Sequence, residues 1–126
     1  MRIPSTAEHL HVVERSRFFA LAFPARSEEE VLAAVRRRKG ELRKANHHCW
    51  ALRVQGEGSA VVEGARDDGE VGHPGRVLLE LLRRRDLEGA ILVSRVFGGV
   101  KLGVGGVSRA FRAAAEGALD EALAGG

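Results

Sequence analysis

The sequence predicts an α+β domain: a mixed sheet of four or five strands with helices packed on one face. Three observations carry this. The 126 residues suit one domain spanning 1–126. Segments with strand character are interleaved with segments of helical period. Their order, β-β-α-β-(β)-α-β-α, is neither a strict βα alternation nor a run of strands alone.

Taken in order, Leu10–Glu14 and Ser16–Pro24 read as two strands, the second carried by Phe18, Phe19, Leu21 and Phe23, with a bend at Arg15-Ser16. Ser27-Glu28-Glu29-Glu30 is a capping box that opens a helix. Val31, Leu32 and Val35 give that helix an apolar stripe, Arg36 to Lys39 suit its negative end, and Gly40 is expected to end it. Asn46–Gln55 is a strand whose His48, Trp50, Leu52 and Val54 form the expected core face. His47, Cys49, Ala51 and Arg53 point the other way. Residues 56–75, GEGSAVVEGARDDGEVGHPG, read as a long polar loop holding a short strand at Val61-Val62. Pro74 fits the first turn of a second helix with Val77, Leu78, Leu81 and Leu82 inside and Arg83 to Arg85 at its end. Ala90–Phe97, AILVSRVF, is the most apolar run and the expected central strand. A glycine loop follows, and Val107, Phe111, Ala114, Ala115, Ala118, Leu119 and Ala122 mark one face of a last helix.

Composition excludes several classes. The chain is 44% hydrophobic and 29% charged, as in a soluble globular protein. Its single cysteine forbids an internal disulfide and fits a reducing compartment. No apolar run approaches the roughly 18 residues a membrane span needs, and MRIPSTAEHL lacks a signal-peptide core. A cytoplasmic protein without a membrane partner is expected. The net charge is +3, and all basic residues but Lys39, Lys44 and Lys101 are arginine. That permits an RNA or ribosome partner without requiring one, and arginine over lysine also fits a GC-rich genome. Tyrosine is absent and other aromatics are few, which argues against a sheet lined with stacking rings. Oligomeric state is not legible in the sequence.

Four constellations could carry chemistry. In FGGVKLGVGGVSRAF, the glycines Gly98, Gly99, Gly103, Gly105 and Gly106 precede a helix, with Arg95, Lys101 and Arg109 nearby. The pattern matches neither GxxxxGK[ST] nor GxGxxG. It reads either as an anion or nucleic-acid site at a helix N-terminus or as a packing turn with solvated cations. Asp67, Asp68 and Glu70 could serve a metal or acid–base site, against the simpler reading of a solvated Asp-Gly turn. His47, His48, Cys49 and His73 lack the spacing of a zinc site, because His47 and Cys49 face away from His48 and no second cysteine exists. A Cys–His nucleophile pair stays open, with no third group to orient it. The arginine runs 36–38 and 83–85 are explained by helix-end dipoles. His47, Asp67, Asp68 and Glu70 are retained as secondary site candidates. Neither a metal nor a cofactor is expected.

The blocks HHCWALRV (47–54), DDGE (67–70) and SRVFGGVKLGVGGVSRAFRAAA (94–115), with ERSRFFALAFPARSEEE (14–30) before them, resemble the YigZ/IMPACT family over nearly the whole chain. The resemblance implies a left-handed βαβ fold of the ribosomal-protein type, similar to domain IV of elongation factor G. It also implies ties to translation control: a eukaryotic member opposes activation of a stress kinase by competing for its activator, and nucleic-acid or ribosome binding is proposed for bacterial ones. No enzymatic activity comes with it. Two departures are visible. The middle block, ARDDGEVGHPGRV, lacks the Ser-Gly-Thr hydroxyls of the family's SDDGEPSGTAG. The ferredoxin-like second domain usual in bacterial members is expected to be absent. The function so implied is a binding module for RNA, the ribosome or a protein partner in translation control, with a binding role expected ahead of an enzymatic one. The alternative is a protein that binds a nucleotide or sugar phosphate, or a small-molecule enzyme, using the glycine loop.

Overall fold

The computed structural model describes every residue but 57, 59 and 126, so those positions of the expected middle loop and of the chain end lie outside the described residues. Eight elements follow one another: β1 (Ala7–Val13), β2 (Ser16–Phe23), α1 (Glu28–Glu41), β3 (His47–Gln55), β4 (Val61–Arg66), α2 (Pro74–Arg84), β5 (Gly89–Val96) and α3 (Gly103–Gly125). The strands form one open sheet in the order β1-β2-β5-β3-β4.

The α+β class and the five strands hold, but the expected mixed sheet does not. Every pair of strands is antiparallel. A single parallel bridge joins Arg2 to Glu88 at the start of β5. The cause is topological. β2 and β3 both pair antiparallel with β5, so they run parallel to each other, but β5 lies between them. The β2-α1-β3 crossover is therefore split, and its two strands never share a ladder.

The helices also do not share one face. α2 and α3 cover the side built by Phe18, Ala20, Cys49, Ala51, Ile91 and Val93. α1 covers the other side, against Leu21, Trp50, Leu52, Ala90 and Leu92. β3 and β5 are thus buried on both faces, which is why β5 reads as an unbroken aliphatic run rather than an alternation. His47, Cys49 and Arg53 consequently face the larger core side, not a free surface.

Local chemistry explains most boundaries. Ser27 caps α1 by accepting from the Glu30 N–H at 3.2 Å. Glu30 reaches back one residue further than a capping box would, to the Arg26 N–H at 2.7 Å. α1 runs past Gly40 to Glu41, and its buried residues are Val31, Ala34 and Arg38 rather than Leu32, which is 38% exposed. Arg38 is buried because its guanidinium meets Glu8 of β1 at 3.1 Å. The β1–β2 link is a two-residue turn in which Glu14 and Arg15 both have positive φ, matching the twist of a tight hairpin. β4 is longer than Val61-Val62. α3 lays Val107, Ala110, Phe111, Ala114, Ala118 and Leu119 on the sheet, with Phe111 edge-on to Phe18 at 5.2 Å. Among the described residues, no helix is long and apolar enough to cross a membrane.

Candidate functional site

One end of the sheet gathers the β1–β2 turn, the end of β5, the start of β3, the segment 67–73 and the start of α3. Nearly all the site candidates lie there.

The acidic segment is a staple. Asp67 to Glu70 forms a turn closed by the Glu70 N–H on the Asp67 carbonyl at 3.0 Å, with Asp68 and Gly69 at positive φ. Asp67 Oδ1 accepts the Gly75 N–H at 2.8 Å, capping α2 where His73 supplies no side-chain cap. Asp68 Oδ2 accepts the His48 N–H at 2.8 Å. The Asp68 carbonyl accepts from His47 Nδ1 at 2.9 Å, which places that ring proton on Nδ1. Glu70 is almost fully buried and pairs with Arg95 at 3.1 Å, with His47 Nε2 3.7 Å away. Each carboxylate is engaged by the protein itself, and no group of three or more metal-binding side chains occurs among the described residues.

Cys49 and His48 are core groups. The Cys49 thiol donates to the Asp67 carbonyl at 3.1 Å. Burial, reinforced by Glu70, Asp68 and Asp67, pushes its pKa far above the ordinary thiol value, so it is a poor nucleophile. His48 Nδ1 lies 2.7 Å from Ser94 Oγ on the opposite face from His47. Burial lowers the His48 pKa, with Asp68 opposing. An unfolded chain protonates His48 below about pH 6.5, whereas the folded chain resists until a lower pH. His48 therefore costs stability progressively as pH falls through that window and costs nothing above it. Chemical denaturation at pH 8 and 5.5 should show a smaller loss for His48→Gln than for the unchanged chain; equal losses would refute this.

The glycine segment divides into three parts. Gly98 lets β5 pass the hairpin turn: a Cβ there would stand 2.1 Å from the Arg15 carbonyl carbon, and its N–H donates to Ser16 Oγ at 3.1 Å. Gly99 and Gly103 turn the chain at positive φ. Gly105 and Gly106 are not loop, as expected, but the first turn of α3, where they leave room for Arg109 and Leu102. Ser108 joins this start to the acidic side, its hydroxyl donating to the Gly72 carbonyl at 2.9 Å.

Two separate hollows result. The larger, about 530 Å³, lies between β1 and α3 and is lined by Lys101, Arg109, His11, Glu14 and Gly106 among others. The second, about 420 Å³, is lined by Asn46, His47, Arg95 and Phe97. Arg95 thus leaves the company of Lys101 and Arg109 and joins that of His47 and Glu70. Around this end, Arg15, Arg17, Arg43, Lys44, Lys101 and Arg109 are exposed, and none forms an ion pair with a described residue. At the other end, Arg53 meets Asp86 and Glu63, and Arg83 meets Glu63. The sequence reading missed Ser16, Asn46 and Phe97. Ser16 and Phe97 lie inside the quoted blocks, but only the fold brings them beside Arg95.

Comparison with known proteins gives a consistent picture. Residues 14–119 match the model of the Impact N-terminal domain. An IMPACT family member from the pol 5′ region of Thermus thermophilus is 40% identical over 88% of this chain and 59% of its own length. The IMPACT family member YvyE of Bacillus subtilis is 37% identical over 86% of this chain and 50% of its own. The chain thus spans about half the length of these relatives. A solved structure described as a hypothetical protein superposes with a TM-score of 0.80 at 28% identity, covering 94% of this chain and 57% of that one. The two-domain translational regulator Yih1 superposes at 0.55 and 28% identity, covering 94% and 45%.

Proposed function

The chain belongs to the Impact N-terminal domain family, and on that premise we propose that it is a translation-related binding module whose cationic end engages RNA, free or in the ribosome. The observation that carries this is the set of six exposed cations around the β1–β2 turn, the α1–β3 link and the start of α3 that form no ion pair among the described residues. The translational regulator Yih1, with the same fold, supports the setting. Exposed cations without a carboxylate partner are free to displace counterions from a phosphate backbone. The start of α3 sets the free N–H groups of a helix N-terminus beside the Arg109 guanidinium, which favours an anion there.

Lys101→Ala/Arg109→Ala should weaken binding to a short single-stranded RNA by about tenfold at 0.1 M salt and flatten the log Kd against log salt plot by about 1.4, the loss of two phosphate contacts. Fluorescence anisotropy across a salt series measures both. Unchanged affinity in the variant would end the reading. A nucleotide or sugar phosphate in the 530 Å³ hollow is the second reading, favoured by its Lys101 and Arg109 walls. Thermal stabilisation by such ligands without RNA retention would select it.

A further inference from the structure

The hollow beside Phe97 has chemistry unlike the cationic groove. Among the described phenylalanine and tryptophan side chains, Phe97 is the one that is exposed, at 48%. The Arg95 guanidinium lies 5.6 Å from its ring centroid and 5.3 Å from that of the buried Phe18. Arg95 is 6% exposed, and its Nε–H has no hydrogen-bond partner among the described residues. Asn46 is held by the backbone at the end of β5: its N–H donates to the Arg95 carbonyl at 2.8 Å, and its Oδ1 accepts the Phe97 N–H at 3.0 Å. That leaves both Nδ2 donors of Asn46 without a described protein partner. His47, with its proton fixed on Nδ1, keeps Nε2 as its second hydrogen-bonding atom.

The charge balance decides what fits. Arg95 is compensated by the nearly buried Glu70 at 3.1 Å. A phosphate entering here would meet a carboxylate in a poorly solvated site, where like-charge repulsion is large. A neutral planar ring with polar edges meets no such cost. It finds the exposed face of Phe97, backed by the Arg95 guanidinium, and fixed amide donors on Asn46, the kinds of group that hold splayed bases in single-stranded RNA.

We infer that the hollow formed by Asn46, His47, Arg95 and Phe97 takes an unpaired nucleobase, so that the RNA bound at this end is single-stranded where it crosses β5. The RNA context rests on the function proposed above; the base-binding chemistry stands on the geometry of the hollow. The test titrates ¹⁵N-labelled protein with the four nucleosides, which carry no phosphate, in 0.5 M salt. At least one nucleoside should move the Asn46 side-chain amide and Phe97 backbone signals, and Phe97→Leu, an exposed change, should abolish the shift while leaving the rest of the spectrum in place. The same variant should weaken a single-stranded RNA about tenfold without changing its salt slope. No shift with any nucleoside overturns the inference. So does a shift produced by N-acetyltryptophanamide alone, which marks a protein side chain as the occupant, or by inorganic phosphate, which marks an anion site. Nucleoside shifts without RNA retention at any salt would overturn the RNA reading and leave the base hollow standing.

Discussion

Gly98→Ala should destabilise the domain by about 3 kcal/mol or more, the upper range for overpacking a closed site. The added Cβ would stand 2.1 Å from the Arg15 carbonyl carbon, 2.3 Å from the Ser16 nitrogen and 2.5 Å from the Arg15 oxygen. These are backbone atoms of a two-residue turn already at positive φ, so none can rotate away. Relief requires moving β5 from the hairpin, which breaks the Gly98 N–H bond to Ser16 and loosens the Arg95 contact to the same hydroxyl. Gly105→Ala is the matched control. Its Cβ would meet only the end of the Arg109 side chain, at 3.1 Å. A helical Gly→Ala change there should be neutral or stabilise by up to about 1 kcal/mol. Denaturant titration of both variants reads the difference. Equal stabilities would show that Gly98 is not the point where the strand must pass the turn.

Glu70→Ala should cost about 3–5 kcal/mol, because it strands a buried arginine. Arg95 has a side chain 7% exposed, and Glu70 is 4% exposed, so neither can recruit water freely. Losing Glu70 also removes the acceptor of the Val71 N–H. Glu70→Leu/Arg95→Met should recover much of the loss, since the pair's own desolvation cost disappears with it. The exposed pair of Arg85 with Asp120 sets the contrast: Asp120→Ala should change stability by no more than a few tenths of a kcal/mol. A Glu70→Ala variant as stable as Asp120→Ala would mean that the acidic turn is not pinned to β5.

These two expectations also mark where sequence and structure part. The β5 run, the Ser27 cap, Pro74 at the start of α2 and the inner face of α3 were legible because each depends on neighbours within a few residues. Pairing was not: that β5 inserts between β2 and β3 depends on partners 67–79 residues apart on one side and 36–48 on the other, and with it went the expected mixed sheet and the single helical face. The α1 stripe was misread because Arg38, a charged residue, is buried by a carboxylate on another element, while Leu32 lies outside. Within the site, Glu70, Arg95 and His47 were picked out from separate blocks, but their meeting was not legible. The role of Gly98 needed Arg15 beside it, and the role of Phe97 needed Asn46.

The central claim is that the unpaired cations at one end of the sheet meet an RNA backbone. The most direct measurement is the salt dependence of single-stranded RNA binding for the unchanged chain, Lys101→Ala/Arg109→Ala, and Arg83→Ala/Arg85→Ala, two ion-paired arginines at the opposite end. A steep slope that only the Lys101/Arg109 variant flattens is the expected result. Equal effects from both ends, or affinity indifferent to salt, would contradict it.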